Sequence, residues 1–204
     1  LYARRQRQMC IRDRYRAIDA GVIIKNYRKT RKSKSNVKKT ILIRPEESEA
    51  AYINKESKTI KIIEKIIEKF PDEKKIVLSR YKEQSNEIKR VFGKDVFIFS
   101  KPVNGKDLLD SVDCFVGSGG TMTAEAGLLG IPTISMNSVP NRIEGFLVKN
   151  KIIIRSESPN RISKEVFQSL NNINIINKRK QNARKLVASF EDPYQVLLKT
   201  IRTL

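Results

Sequence analysis

Residues 117–125 read Gly117-Ser118-Gly119-Gly120-Thr121-Met122-Thr123-Ala124-Glu125. An apolar run, 112–116, leads into them, and a helical pattern, 121–129, leads out and closes at Gly130. Glycines in a strand-to-helix turn let the backbone approach a ligand closely. The free N–H groups and dipole at the helix start favour a phosphate. Ser118, Thr121 and Thr123 add hydroxyls, and Glu125 lies about one turn into the helix. A carboxylate there does not favour a phosphate, but it accepts two hydrogen bonds from vicinal hydroxyls such as those of a ribose. The stretch is neither a dinucleotide fingerprint, which needs a glycine where Met122 stands, nor a Walker loop, which ends in Gly-Lys-Ser/Thr. Taken locally, it also fits a plain tight turn in which the helix dipole stabilises Glu125.

The flanking sequence alternates between two periods. Strand patterns fall at 40–43, 75–79, 95–99, 112–116, 132–136 and 151–154. Between the first two, residues 59–70 carry an isoleucine stripe opposite Lys61, Glu64, Lys65 and Glu68, which predicts an amphipathic helix. Further helices are predicted at 82–92, from an Asn104 cap through Ser111, at 121–129, 163–170 and 178–190, and after Asp192-Pro193. The Asn/Ile run 171–177 reads as a connector or helix edge. Strands alternating with helices imply right-handed crossovers and a parallel sheet covered on both faces. The expected fold is α/β, about six strands in the order 3-2-1-4-5-6. Such a sheet opens a ligand crevice where the winding reverses, outside the carboxyl ends of strands one and four. Arg44 and the 117–121 turn stand there. Arg80 follows the second strand, so both arginines are candidates for pairing with phosphate oxygens.

Composition narrows the chemistry. The 204 residues hold 42 Lys plus Arg against 22 Asp plus Glu, a formal net charge of +20, and no histidine. That excludes a Ser-His-Asp triad, a Cys-His pair and an imidazole metal cluster on this chain. Two cysteines, Cys10 and Cys114, make no disulfide framework or metal knuckle, so a reducing cytoplasm is expected. Cys114, in an apolar strand, reads as a small buried hydrophobe. No apolar run is long enough for a membrane span. Much of the charge excess lies in residues 1–39, which net +12. Residues 1–38 are therefore read as a basic flexible arm. The segment 5–16 is unlike the rest in composition, is read as non-native in part and carries no fold expectation. The domain is read from 39 to 204.

With these residues in place, a resemblance becomes visible. The segment from Asp113 through Gly119-Gly120-Thr121-Met122, Glu125-Ala126 and Leu129-Gly130-Ile131-Pro132 resembles the nucleotide-binding segment of GT-B-fold proteins. Those include UDP-N-acetylglucosamine 2-epimerase and MurG-type glycosyltransferases. The match is strongest to an uncharacterised, largely archaeal family of epimerase-like proteins, in which Arg44-Pro45, Arg80 and Glu191-Asp192-Pro193 also have counterparts. The resemblance implies a Rossmann-like, C-terminal GT-B domain that holds a sugar nucleotide, with UDP favoured as the nucleotide. Gly119, Gly120 and Thr121 would hold the diphosphate and Glu125 the ribose, with Ser118 a further nucleotide-binding candidate. Pro102 and Val103, after the third strand, would border the base. The loop 137–144, with Asn137, Arg142 and Glu144, would face the donor sugar.

The resemblance implies no cofactor and no metal, and it assigns no catalytic residue. The N-terminal GT-B domain has no counterpart here, so the chain is expected to be a fragment, inactive alone, of an epimerase-like or glycosyltransferase-like enzyme. The alternative is a non-catalytic Rossmann-like module whose arm contacts RNA or anionic surfaces. Specific nucleic-acid binding is not favoured, because the arm lacks interleaved aromatics beyond Tyr2, Tyr15 and Tyr27.

Overall fold

A computed structural model describes residues 16–25, 38–46, 58–99, 103–136, 139 and 141–202. Six parallel strands form one sheet in the order β3-β2-β1-β4-β5-β6. They are β1 (Thr40–Arg44), β2 (Lys74–Val77), β3 (Phe97–Ile98), β4 (Cys114–Gly117), β5 (Thr133–Ser135) and β6 (Ile154–Arg155). The expected sheet and strand order are those observed.

Burial on both faces follows from the twofold alternation of side chains along each strand. On β1, Ile41 and Ile43 join a cluster with Ile60, Ile63 and Ile66 of α2 (Lys58–Lys69) and Val166 of α7 (Pro159–Asn171). The intervening Leu42 joins Phe115, Leu109 and Met122 in a second cluster. That face is covered by α4 (Gly105–Asp110) and α5 (Gly120–Leu128). Each fully buried isoleucine of the stripe contributes about 1.5–3 kcal/mol relative to exposure. Helix α3 (Lys82–Phe92) has the expected bounds, and Asn104 caps α4 by accepting from the Lys106 N–H at 2.9 Å. Cys114 is fully buried on β4, and burial pushes its thiol up to about 12.

Three segments depart from expectation. The loop 137–144 gives way at Asn141 to a helix, α6 (Arg142–Lys149), capped by Asn141 Oδ1 accepting from the Glu144 N–H at 2.8 Å. The turn after α6 places Lys151 at φ 57°, so β6 begins at Ile154 rather than at 151. The Asn/Ile run is a helix edge rather than a connector. Asn172 alone separates α7 from α8 (Ile173–Ala188), its side chain accepting from the N–H groups of Asn174 and Ile175. The last helix, α9 (Pro193–Arg202), starts as expected, with Asp192 accepting from the Tyr194 N–H.

Within the stretch read as an arm, Asp19–Lys25 forms helix α1. Ala20 and Ile24 are buried against Ala124, Leu128 and Ala183. Gly21 lies beneath the Phe190 ring so closely that a Cβ would overlap it. Lys25 Nζ donates to the Phe190 carbonyl at 2.9 Å, and Glu191 N–H donates to the Arg16 carbonyl at 3.1 Å. A seven-residue helix is marginal by itself, so this packing holds α1. Gly21→Val is expected to destabilise the fold by about 1–3 kcal/mol through overpacking. Hydrogen exchange at 19–25 should accelerate in that variant; unchanged protection would refute the packing argument. Residues 1–15 and 26–37 lie outside the described residues.

Candidate functional site

The site is built where β1 meets β4. Their register sets Arg44 opposite Gly117, so the arginine and the glycine turn emerge side by side at the carboxyl ends of the strands. The turn itself uses left-handed backbone. Gly119 has φ 83° and ψ −163°, and Gly120 has φ 77°. The Gly119 combination is one that essentially only glycine adopts. Gly117 is small for a different reason, since a Cβ there would run into the Phe115 ring and come within 2.7 Å of Thr123 Oγ1.

Two of the hydroxyls are tied to the scaffold. Ser118 Oγ donates to the Pro45 carbonyl at 2.9 Å, fastening the turn to the end of β1. Thr123 Oγ1 donates to the Gly119 carbonyl at 2.7 Å. Their protons therefore serve the turn. Thr121 is exposed at the first turn of α5.

Arg44 Nη1 donates to Met122 Sδ at 2.9 Å, which holds the guanidinium beside the start of α5. Arg80 comes in from β2, its Nη2 only 3.8 Å from where a Gly120 Cβ would stand. Its backbone N–H donates to Gln84 Oε1 at 3.0 Å, and buried Gln84 donates in turn to the Glu46 carbonyl. That clamp ties the ends of β1 and β2 together. Glu125 is partly buried on α5. Burial raises its carboxyl above the usual 4.5, while Lys106 and Arg44 pull the other way.

Two cavities lie near the turn, one lined by Arg44 and Arg80 and the other by the turn itself. One, of about 950 Å³, lies over the ends of β2 and β3, with Arg44, Arg80, Tyr81, Phe99 and Val103 in its wall. The other, of about 370 Å³, is lined by Gly119, Gly120, Thr121, Arg142 and Glu144, with Asp19 closing it from α1. Ligand clefts commonly fall in this size range. The structure thus brings together Arg44, Arg80, Gly119, Gly120 and Thr121. It sets Glu125 near Arg44, Val103 on the larger cavity, and Arg142 and Glu144 on the smaller one. Glu144 is buried, and Arg142 is exposed. Pro102 and Asn137 lie outside the described residues.

Sequence reasoning missed four contributors. Asp19 and Ile18 reach the smaller cavity from the presumed arm, where the lone apolar patch Val22-Ile23-Ile24 was the available signal. Lys106 faces Glu125 from α4, and nothing in the local pattern marks it. Met122, a departure from one motif, is the residue that seats Arg44. Among the described residues no cluster of His, Cys, Asp or Glu is arranged to hold a metal ion, and no helix is long and apolar enough to cross a membrane.

A parallel sheet of this order, with a glycine turn where the winding reverses, is the Rossmann-like fold shared with solved glycosyltransferases and epimerases of the GT-B kind. The chain belongs to the family described as Protein of unknown function (DUF354), whose model matches residues 14–203. No curated protein matches the chain.

Solved structures share the fold at low identity. The glycotransferase of kitacinnamycin aligns with TM-score 0.61 at 16% identity, over 86% of this chain and 46% of its own. UDP-GlcNAc 2-epimerase from Neisseria meningitidis, bound to UDP-GlcNAc, aligns with TM-score 0.57 at 15% identity, over 83% and 45%. The wall teichoic acid polymerase TagF aligns with TM-score 0.56 at 13% identity, over 80% and 43%. The chain spans less than half the length of each.

Proposed function

We propose that this chain binds a sugar nucleotide, with a UDP-sugar favoured, as the C-terminal half of an epimerase-like or glycosyltransferase-like enzyme. The observation that carries the reading is the Gly119–Gly120 turn in the wall of the smaller cavity, with Arg80 and Arg44 of the larger cavity's wall standing beside it. The diphosphate lies across the turn, and its charge is met by backbone N–H groups, the start of α5 and the two guanidinium groups. The base occupies the larger cavity beside Val103, with Pro102 on its border. The ribose hydroxyls donate to Glu125. The sugar enters the smaller cavity toward Arg142 and Glu144, with Asn137 on the same side.

As the sugar C1–O bond breaks, negative charge gathers on the leaving diphosphate. The turn and Arg44 are already oriented to stabilise it, which is how fixed donors lower a barrier. Groups that attack or deprotonate the sugar belong to a second, N-terminal domain, so the chain alone binds nucleotide weakly and turns nothing over. The same proposal expects a cytoplasmic protein.

Titration calorimetry with UDP tests this. The wild-type chain should bind, and Glu125→Ala should bind roughly tenfold more weakly, the loss of a hydrogen-bonded pair to a charged acceptor. Unchanged affinity in the variant would defeat the ribose assignment. The pH dependence has a definite sign. Only the ionised carboxylate accepts both hydroxyls, and burial holds the Glu125 pKa above 4.5. UDP affinity should therefore fall on acidification from a point above pH 4.5, and Glu125→Gln should remove that dependence.

A further inference from the structure

We propose that the edge of the sheet at β6 carries a second anion site, for a free oligophosphate: a ligand with two or more linked phosphoryl groups. It lies apart from the glycine turn and shares only Ile153 with the cavity there. A cavity of about 360 Å³ is lined by Lys151, Arg155, Arg161, Lys178 and Arg179, with no carboxylate among its lining residues. A neighbouring cavity of about 350 Å³ shares Lys151 and Asn182 with it and adds Lys149 and Lys185, again without a carboxylate. The two form a continuous concave track of positive charge.

Arg179 gives the first cavity its character. It is 7% exposed, and its Nη1 donates to Ser169 Oγ at 2.8 Å. Its carboxylate neighbour, Glu165, stands 3.7 Å away. A guanidinium so far from water is costly unless charge balances it; Glu165 supplies part of that balance, and an anion entering the cavity adds to it. Arg155 already pairs with Glu157 at 2.9 Å, so the rim is not wholly uncompensated. A single carboxylate would still leave most of the positive lining unmatched. A chain of phosphoryl groups matches it and is long enough to pass from one cavity to the next.

Lys151 stands where the cavities join. At φ 57° it occupies a left-handed position after α6 that glycine fills without strain. A side chain there is strained. The lysine's presence at the junction fits a role for its charge. At 7% exposure, Arg179 is beyond the reach of a flat bilayer surface.

The test uses the full chain with inorganic tripolyphosphate, read by hydrogen exchange and titration calorimetry. With a net charge of +20, anions are drawn to the chain in general, so the local readout decides. Protection should appear at 149–155 and 178–185 and persist in Gly120→Val, which separates this site from the sugar-nucleotide reading. Lys151→Gly with Lys178→Gln should weaken binding by about tenfold or more, as lost charged contacts do. The glycine relieves strain, so that variant folds. Lys180→Gln with Arg184→Gln, which removes as much charge from residues outside both cavities, should stay within about twofold. Absence of protection at those segments, or equal loss in the control pair, overturns the proposal. A lipid diphosphate headgroup shares the chemistry; protection by anionic vesicles but not by tripolyphosphate would overturn the free-anion assignment.

Discussion

Replacing Gly120 with valine is expected to leave a folded chain that has lost uridine-nucleotide binding by tenfold to a hundredfold, roughly the value of one or two charge-assisted hydrogen bonds. Gly120 sits at φ 77°, where a branched side chain is strained. The space its Cβ would need opens directly toward Arg80, whose Nη2 is 3.8 Å from it. Valine methyl groups would displace that guanidinium and turn the first N–H groups of α5 away from the crevice. Both losses fall on the diphosphate. The strain costs about 1–3 kcal/mol, against a total stability of about 5–15 kcal/mol for a typical domain, so the fold survives. Gly119→Ala should behave alike, because its ψ of −163° at positive φ leaves no relaxed position for a Cβ. Titration calorimetry with UDP, alongside a urea melt, separates binding from folding. Wild-type affinity in a folded Gly120→Val chain would show that the turn does not hold phosphate.

The legibility of this molecule follows the division between local and tertiary forces. The isoleucine stripe of α2, the bounds of α3, the Asn104 cap and the strand order were readable because each is written in neighbouring residues. The crevice was readable for the same reason, since strand order alone places Arg44 beside Gly117. Helix α6 was not. Its buried positions include Glu144, which interrupts the apolar pattern, while Ile143, Phe146 and Val148 are exposed. Only the Asn141 cap announced it. Helix α1 hides in charged sequence because its hold is remote, through Gly21 under Phe190 and Lys25 on the Phe190 carbonyl. Strand β6 is two residues long, and a left-handed lysine decides its start. At the site, the residue types were legible but the assignment of hydroxyl protons was not. Ser118 and Thr123 spend theirs on backbone carbonyls, a choice made by the turn's three-dimensional path.

The largest stability effect is expected at Phe115. Its ring is wholly buried in the cluster with Leu42, Leu109 and Met122. Truncating a buried phenylalanine to alanine removes its transfer free energy and leaves a cavity, together about 3–5 kcal/mol. In a protein of this size that lowers Tm by roughly 6–20 °C. The site should loosen as well, because the ring fills the space beside Gly117 and packs in one cluster with Met122, the residue that holds Arg44. With the ring gone, Met122 has room to fall inward and carry the guanidinium away from the crevice. Phe115→Ala should therefore combine a lower urea midpoint with weaker UDP binding, measured where the variant is still folded. Phe115→Leu, which keeps most of the volume, should lose less of both. A midpoint unchanged in Phe115→Ala would mean that the ring is not part of the packed core beneath the turn. A lowered midpoint with full UDP affinity would mean that Arg44 is held in place without Met122.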